Sequence, residues 1–434
     1  MMKEDKNIFL RKKILIYGLG KSGISSFKFL NNKSNVYLYD DFIKKINYSR
    51  LNKRFINLNE IFRYSFEKII ISPGIDINNC KLSKFLKKNF SKIYTDLDVF
   101  YSFYKNKSIT ITGTNGKSTT AKILYDVLLD QKYDVRLIGN IGNPALSEKQ
   151  ISKKTIFVIE ASSYQLEYSK IFTSKYSILL NISPDHIERH GNLKNYINAK
   201  FKLLKSQSNQ SVALINKHDP LIIKQIKRIK LNPKIIKVDT LRNNSLLNRL
   251  NNKYFLSFGN RENLFFILRI SKILKLKYES LIKTLNNFKG LKYRQQIIFE
   301  NKNLIIINDS KSTSFASSEN ILRGLKNVYW ILGGIPKKGD KFKLSKKHCL
   351  KFKAYTFGNH HNDFKKCLGN KIILNNFNTL NDILHKIFID IRKKELIKNI
   401  IFFSPAGASF DNFKNFEDRG LYFNNLIKKF INAN

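Results

Sequence analysis

Residues Ile109–Thr120 read ITITGTNGKSTT. The β-branched run Ile109–Thr112 predicts a strand, Gly113–Gly116 a loop, and Thr119–Leu129 a helix. A strand that feeds a helix through glycines aims backbone N–H groups at one point, which is what a polyphosphate needs. Gly113, Thr114, Asn115 and Gly116 would form that cradle, and Thr119 would sit in the first helical turn. Lys117 would supply a fixed positive charge and Ser118 a hydroxyl for Mg²⁺. The general phosphate-loop spacing places a glycine where Ile111 stands, so this is a shorter variant. A plain Gly–Asn turn is the competing reading. The agreement of strand, loop, Lys-Ser pair and helix outweighs it.

Outward from this loop, strands alternate with helical stretches, which predicts an α/β fold with parallel sheets. At 434 residues the chain exceeds one ordinary core, and three regions separate. Residues 1–97 carry KILIYGLGKSG (Lys13–Gly23), a helix Ile24–Leu30, VYLYDD (Val36–Asp41) and KIIISPG (Lys68–Gly74). Residues 98–290 add strands Thr155–Glu160 and Tyr176–Ile182, a helix Lys194–Leu204, SVALIN (Ser211–Asn216) and a poorly patterned Asn243–Lys253. Residues 291–434 add strands Leu304–Asn308, Val328–Leu332, Ala354–Phe357 and Ile400–Ser404. The expected architecture is an N-terminal Rossmann-like domain, a central ATPase-like parallel sheet and a C-terminal Rossmann-like domain.

Composition narrows the class. The chain is 42% hydrophobic, enough for real cores, and has no apolar run long enough to span a bilayer. The charged start MMKEDKNIFLRKK does not read as a signal peptide. Three scattered cysteines suit a reducing compartment, so cytoplasm is expected. The formal charge of +47 raises a nucleic-acid reading. Lysine is spread along the whole length with Asn, Ile and Phe, however, and no binding motif appears. A solvated face is favoured, with no specific nucleic acid and no membrane as partner.

Gly18-x-Gly20-x-x-Gly23 follows a strand and opens a helix, and Asp40 ends the next strand. By itself this is a dinucleotide fingerprint, so an NAD-dependent oxidoreductase is a competitor of another class. A second phosphate loop at Gly113 disfavours it, because hydride transfer has no use for ATP. Asn140 lies in the loop Gly139–Gly142. Glu160 ends a strand, where a carboxylate could complete the Mg²⁺ shell begun by Ser118. Glu167 reads as helix surface. His186 follows another strand end, where open α/β sheets place ligands, and is read as a ligand rather than a core histidine.

Seven segments then occur in order: TGTNGKSTT (Thr112–Thr120), GNIGNP (Gly139–Pro144), EASSYQLE (Glu160–Glu167), NISPDHIERHG (Asn181–Gly191), NDSKSTS (Asn308–Ser314), LGGIPKKGD (Leu332–Asp340) and SPAGASFDNFKNFEDRG (Ser404–Gly420). From about Lys13 to Phe423 the chain resembles the D-glutamate-adding Mur ligases. The last three segments discriminate that branch from other Mur ligases and from folylpolyglutamate-type ligases.

The resemblance implies that ATP phosphorylates the carboxylate of UDP-N-acetylmuramoyl-L-alanine. The amine of D-glutamate then attacks the acyl phosphate. Lys117, His186, Lys200 and Lys311 would be catalytic, with two Mg²⁺ ions. Ser118 and Glu160 would hold one ion, and His186 with Lys200, as a carbamate, the other. Nothing local distinguishes Lys200 from a solvated lysine. Asn263, Arg294 and Asp309 would join the phosphate loop around ATP. Gly20, Ser22, Asp40, Ser72, Pro73, Gly74, Asn140 and Gln165 would receive the UDP substrate, and Thr313, Lys337, Ser409 and Phe416 the D-glutamate. A monomer is expected, whose third domain closes over the second.

The chain departs from the family pattern at four places. The HN-x-x-N segment is Glu262-Asn263-Leu-Phe-Phe266, the His-Arg pair is Tyr293-Arg294, the following acid is Gln296, and a usual cysteine is Gly407. The first three bear on nucleotide contacts rather than on the reaction class.

Overall fold

The structure is a computed structural model that describes residues 7–42, 54–241, 249–256, 258–337, 339–392 and 398–432. The first six residues and part of the poorly patterned stretch lie outside the described residues. Two compact units divide the chain: Met1–Leu250 with Glu262–Asn286, and Asn251–Arg261 with Asn287–Asn434.

The first unit holds two parallel sheets. One contains β1 (Lys13–Tyr17), β2 (Asn35–Tyr39), β3 (Lys68–Ile71) and β4 (Ile93–Tyr94), in the order β2-β1-β3-β4. The other contains β5 (Ser108–Thr112), β6 (Val135–Gly139), β7 (Ile156–Glu160), β8 (Tyr176–Leu179), β9 (Val212–Asn216) and β10 (Lys234–Val238). Their order is β10-β9-β8-β5-β7-β6. Ile109 on β5 pairs with Val158 on β7 and Tyr176 on β8, so the phosphate-loop strand lies between its two chemical neighbours. All three leave the sheet at the same edge.

These strands are buried runs of β-branched residues because helices cover parallel sheets on both faces. One core is shared between the two sheets. Ile14, Ile16, Val36 and Leu38 of the first join Ile138, Phe157 and Ile159 of the second, with Phe27, Leu97 and Phe100 from helices Lys21–Leu30 and Asp96–Phe103. Each such side chain contributes about 1.5–3 kcal/mol of apolar burial. Asp98 of the second helix is fully buried, and its Oδ1 accepts the N–H groups of Lys170, Ile171 and Phe172 at 2.8–2.9 Å. That carboxylate satisfies three consecutive amides of the bend.

The second unit holds β11 (Gln296–Glu300), β12 (Leu304–Asn308), β13 (Val328–Gly333), β14 (Ile335–Pro336), β15 (Phe352–Phe357), β16 (Leu374–Phe377), β17 (Asn399–Phe403) and β18 (Gly407–Ala408). The main sheet runs β11-β12-β17-β13-β15-β16, and β14 pairs with β18 separately. Only β11 is antiparallel within the main sheet, an edge strand that composition did not announce. Adjacent β12, β17 and β13 bring the Asn308, Ser404 and Gly333 segments to one edge.

Candidate active site

Gly113 and Gly116 take φ of 152° and 84°, the second being a left-handed turn that closes the loop onto helix Lys117–Asp130. A Cβ on Gly116 would lie 2.1 Å from Asn263 Oδ1, so the predicted nucleotide residue Asn263 packs directly on the loop. The sequence gives the amides of Thr114 and Asn115 to phosphate. The structure donates them to Asn181 O and Asn181 Oδ1, both at 2.9 Å. Those two amides brace the loop, and the helix N-terminus remains the anion-facing element.

Lys117 Nζ folds back, donating to Gly113 O at 2.9 Å and Thr114 O at 2.8 Å. Lys200, predicted only by resemblance, comes from helix Leu193–Lys205 and donates to the same Gly113 O at 2.7 Å. It is 1% exposed. Burial drives its amine well below the ordinary lysine value, and the Lys117 charge pushes the same way, against Asp185 and Glu160. Lys200 is therefore a buried amine biased towards its neutral form.

Glu160, ending β7, is 1% exposed. Its Oε1 accepts from Asn140 Nδ2 at 2.8 Å, while Oε2 is buried with no hydrogen-bond partner. An orphaned buried carboxylate oxygen is costly unless a cation meets it, so the residues fit a metal. Among the described residues no group of three His, Cys, Asp or Glu side chains is arranged to hold a metal ion. One carboxylate with a buried Ser118 hydroxyl suits Mg²⁺, which completes its shell with phosphate and water oxygens.

His186 has a φ of 54° and caps the short helix Ile187–His190. Its Nδ1 lies 2.8 Å from the Tyr164 hydroxyl and its Nε2 3.4 Å from Asp185 Oδ2. Behind it the Tyr164, His190 and Tyr196 rings pack in succession, and the Tyr196 hydroxyl reaches Thr114 Oγ1 at 3.0 Å. Arg189, absent from the predicted set, donates to Asp76 Oδ1 (2.9 Å), Tyr168 Oη (3.0 Å) and Ile75 O (2.7 Å). It thereby ties the His186 loop to the segment after β3. Glu167, read as helix surface, faces Arg189 at 3.4 Å and His190 at 3.5 Å.

At the edge of the first sheet, Gly23 is obligatory because a Cβ there would lie 1.9 Å from Gly18 O. Ser72 Oγ donates to the same carbonyl at 2.6 Å, with Pro73 and Gly74 following it. Asp40 spends both oxygens on the turn, accepting from Leu19 N (2.7 Å) and Phe42 N (2.9 Å). The acid that the fingerprint reserves for a ribose thus shapes the Gly18–Gly20 loop. Ser22 and Gln165 converge on Asp96, a buried acid the sequence reading missed, whose pKa is raised by desolvation. Gln165 also closes a capping box with Ser162.

In the second unit, Lys311 Nζ sits 4.1 Å from the centre of the Phe416 ring and the Arg294 guanidinium 5.9 Å from it. Two cations thus neighbour the Phe416 ring. Asp309 is fully internal. Its Oδ1 accepts from Gln295 N (3.0 Å) and its Oδ2 from Ser404 Oγ (3.1 Å). Burial lifts its carboxyl to about 7, against hydrogen bonds and the charges of Arg294 and Arg419. Arg419, also missed, is 0% exposed and donates to Ser310 O (2.7 Å) and Gly407 O (3.0 Å). Gly407, where the pattern has cysteine, pairs with Pro336, and a Cβ added there would lie 2.8 Å from Gly333 O. Lys337 follows β14 and Ser409 follows β18. Of the departures, Phe266 is core, Glu262 accepts from Asn216 at 3.4 Å, and Gln296 Oε1 caps Tyr293 N at 3.0 Å.

Comparison with known proteins places the chain in a family. The Mur ligase middle domain matches residues 111–278. UDP-N-acetylmuramoylalanine–D-glutamate ligases of Rickettsia felis and Rickettsia prowazekii are 34% and 33% identical, each covering 98% of this chain and 98% and 99% of their own. UDP-N-acetylmuramate-alanine ligase of Thermotoga maritima superposes with a TM-score of 0.55 at 17% identity, over 98% of this chain and 100% of its own. MurF of Acinetobacter baumannii gives 0.57 at 16% identity, over 86% and 87%. These two speak for the fold. The chain belongs to the family of UDP-N-acetylmuramoylalanine–D-glutamate ligases, the D-glutamate-adding branch of the Mur ligases.

Proposed function

We propose that the chain joins D-glutamate to UDP-N-acetylmuramoyl-L-alanine at the expense of ATP, as a cytoplasmic monomer in peptidoglycan precursor synthesis. Three modules serve this: residues 1–97 receive the UDP moiety, 98–290 hold ATP, and 291–434 bring the amino acid. No helix among the described residues is long and apolar enough to cross a membrane.

A carboxylate oxygen of the UDP substrate attacks the γ-phosphorus and ADP leaves. The D-glutamate amine then attacks the acyl carbon, phosphate leaves, and the amine loses a proton. Lys117 neutralises charge on the transferring phosphoryl group, and the Gly116–Thr119 helix start receives its oxygens. Bound Mg²⁺ would draw phosphate oxygens together and offset their charge. Glu160 and Ser118 would hold one ion, and His186 with carbamylated Lys200 the other. A neutral Lys200 amine is the nucleophile CO₂ requires, and the resulting anion would sit against Lys117. Asn263, Arg294 and Asp309 serve the nucleotide side, Asp309 by fixing the loop and not by contact. Lys311 faces the phosphates, and Thr313, Lys337, Ser409 and Phe416 serve the dicarboxylate.

The observation that carries this reading is the convergence of Lys117 and Lys200 on the Gly113 carbonyl, with the orphaned Glu160 oxygen at the end of the neighbouring strand β7. ADP release with UDP-N-acetylmuramoyl-L-alanine should rise when D-glutamate is added and stay at background with L-glutamate or L-alanine. Equal stimulation by all three, or by none, overturns the substrate assignment.

A further inference from the structure

We propose that Tyr164 is a positioning residue for the cation site, its hydroxyl holding the His186 imidazole as the Nδ1–H tautomer with Nε2 as the ligating nitrogen. The inference rests on the metal role assigned to His186 above. An imidazole that ligates through one nitrogen carries its proton on the other, and that N–H needs an acceptor. Tyr164 Oη lies 2.8 Å from Nδ1. Glu188 Oε1, at 3.7 Å on an exposed side chain, is too far to serve. On the opposite side, Nε2 lies 3.4 Å from Asp185 Oδ2. One Mg²⁺ with ligands at about 2.1 Å spans neighbouring donors about 3 Å apart. Nε2 and Asp185 thus present a ready pair, and Asp185 joins the donor set.

The phenol is preorganised. The Arg189 guanidinium stands 5.3 Å from the Tyr164 ring centre and the His190 ring 5.6 Å from it. Arg189 is itself anchored by Asp76, Tyr168 and Ile75 O.

Tyr164→Phe keeps the ring column and removes only the hydroxyl. In full-length protein labelled with ¹⁵N-histidine and freed of divalent cations, long-range ¹H–¹⁵N correlation should find His186 protonated at Nδ1 in the wild type. In Tyr164→Phe it should become a tautomer mixture, and Mn²⁺ affinity by electron paramagnetic resonance should fall about tenfold. His186→Ala should weaken Mn²⁺ at least as much. An identical tautomer in both proteins, or Nε2–H in the wild type, overturns the proposal while leaving the metal role of His186 standing. Unchanged Mn²⁺ affinity in His186→Ala overturns both.

Discussion

Replacing Lys200 by methionine should lower turnover about a thousandfold while the melting temperature moves by only a few degrees. The swap keeps an unbranched stem of similar volume, so the core formed by Tyr196, Phe201 and Leu204 on the same helix is retained. What disappears is the amine at the Gly113 carbonyl, and with it the oxygen ligand a carbamate would add beside the phosphates. Its low pKa makes carbamylation chemically accessible, since only the unprotonated amine captures CO₂. The same assay carries a control on mechanism. Wild-type enzyme in CO₂-free buffer should lose activity and regain it with bicarbonate, whereas Lys200→Met should respond to neither. Wild-type turnover in Lys200→Met removes the residue from the chemistry.

The second large effect is on stability and concerns Asp309. Its carboxyl titrates near 7 in the folded chain against 3.8 as its ordinary value. The folded state therefore holds a proton across that window that the unfolded chain has released, and stability falls as pH rises from about 4 to about 7. The difference corresponds to about 4 kcal/mol at pH 8. A proton on Oδ2 would be donated to Ser404 Oγ, which can pass its own hydrogen to Ser318 Oγ at 2.7 Å. Asp309→Asn should reproduce that arrangement with its amide. Denaturant titrations of the variant should show a flat profile over this range and higher stability than wild type at pH 8. A wild-type profile in Asp309→Asn would place the titrating group elsewhere.

The phosphate loop was legible because its conformation is local: two glycines with positive φ, a lysine and a helix start are written in consecutive residues. Glu160 and His186 were legible because each follows a strand, and parallel strands point their ends to one edge. Lys200 became visible only through resemblance. A lysine on a helix is ordinary until folding buries it under Gly113. Tyr164 with His186, Asp96 with Ser22 and Gln165, and Arg189 with Asp76 each join separate elements, and no periodicity reports which loops will meet. Asp40 and Asp309 show the converse. Their positions invite a ligand reading, yet their oxygens are committed to backbone and hydroxyl donors in the loops around them. The core shared by the first two sheets was hidden for a related reason. Alternation and apolar runs identify a face to be buried and are silent on what covers it.

In the proposed mechanism a carboxylate is activated by phosphoryl transfer at the Gly113–Ser118 loop before an amine attacks it. UDP-N-acetylmuramoyl-L-alanine labelled with ¹⁸O in both carboxylate oxygens, turned over with ATP, Mg²⁺ and D-glutamate, tests it most directly. One labelled oxygen should appear in the released phosphate and the other in the new amide. Release of unlabelled phosphate alongside amide product would contradict the account.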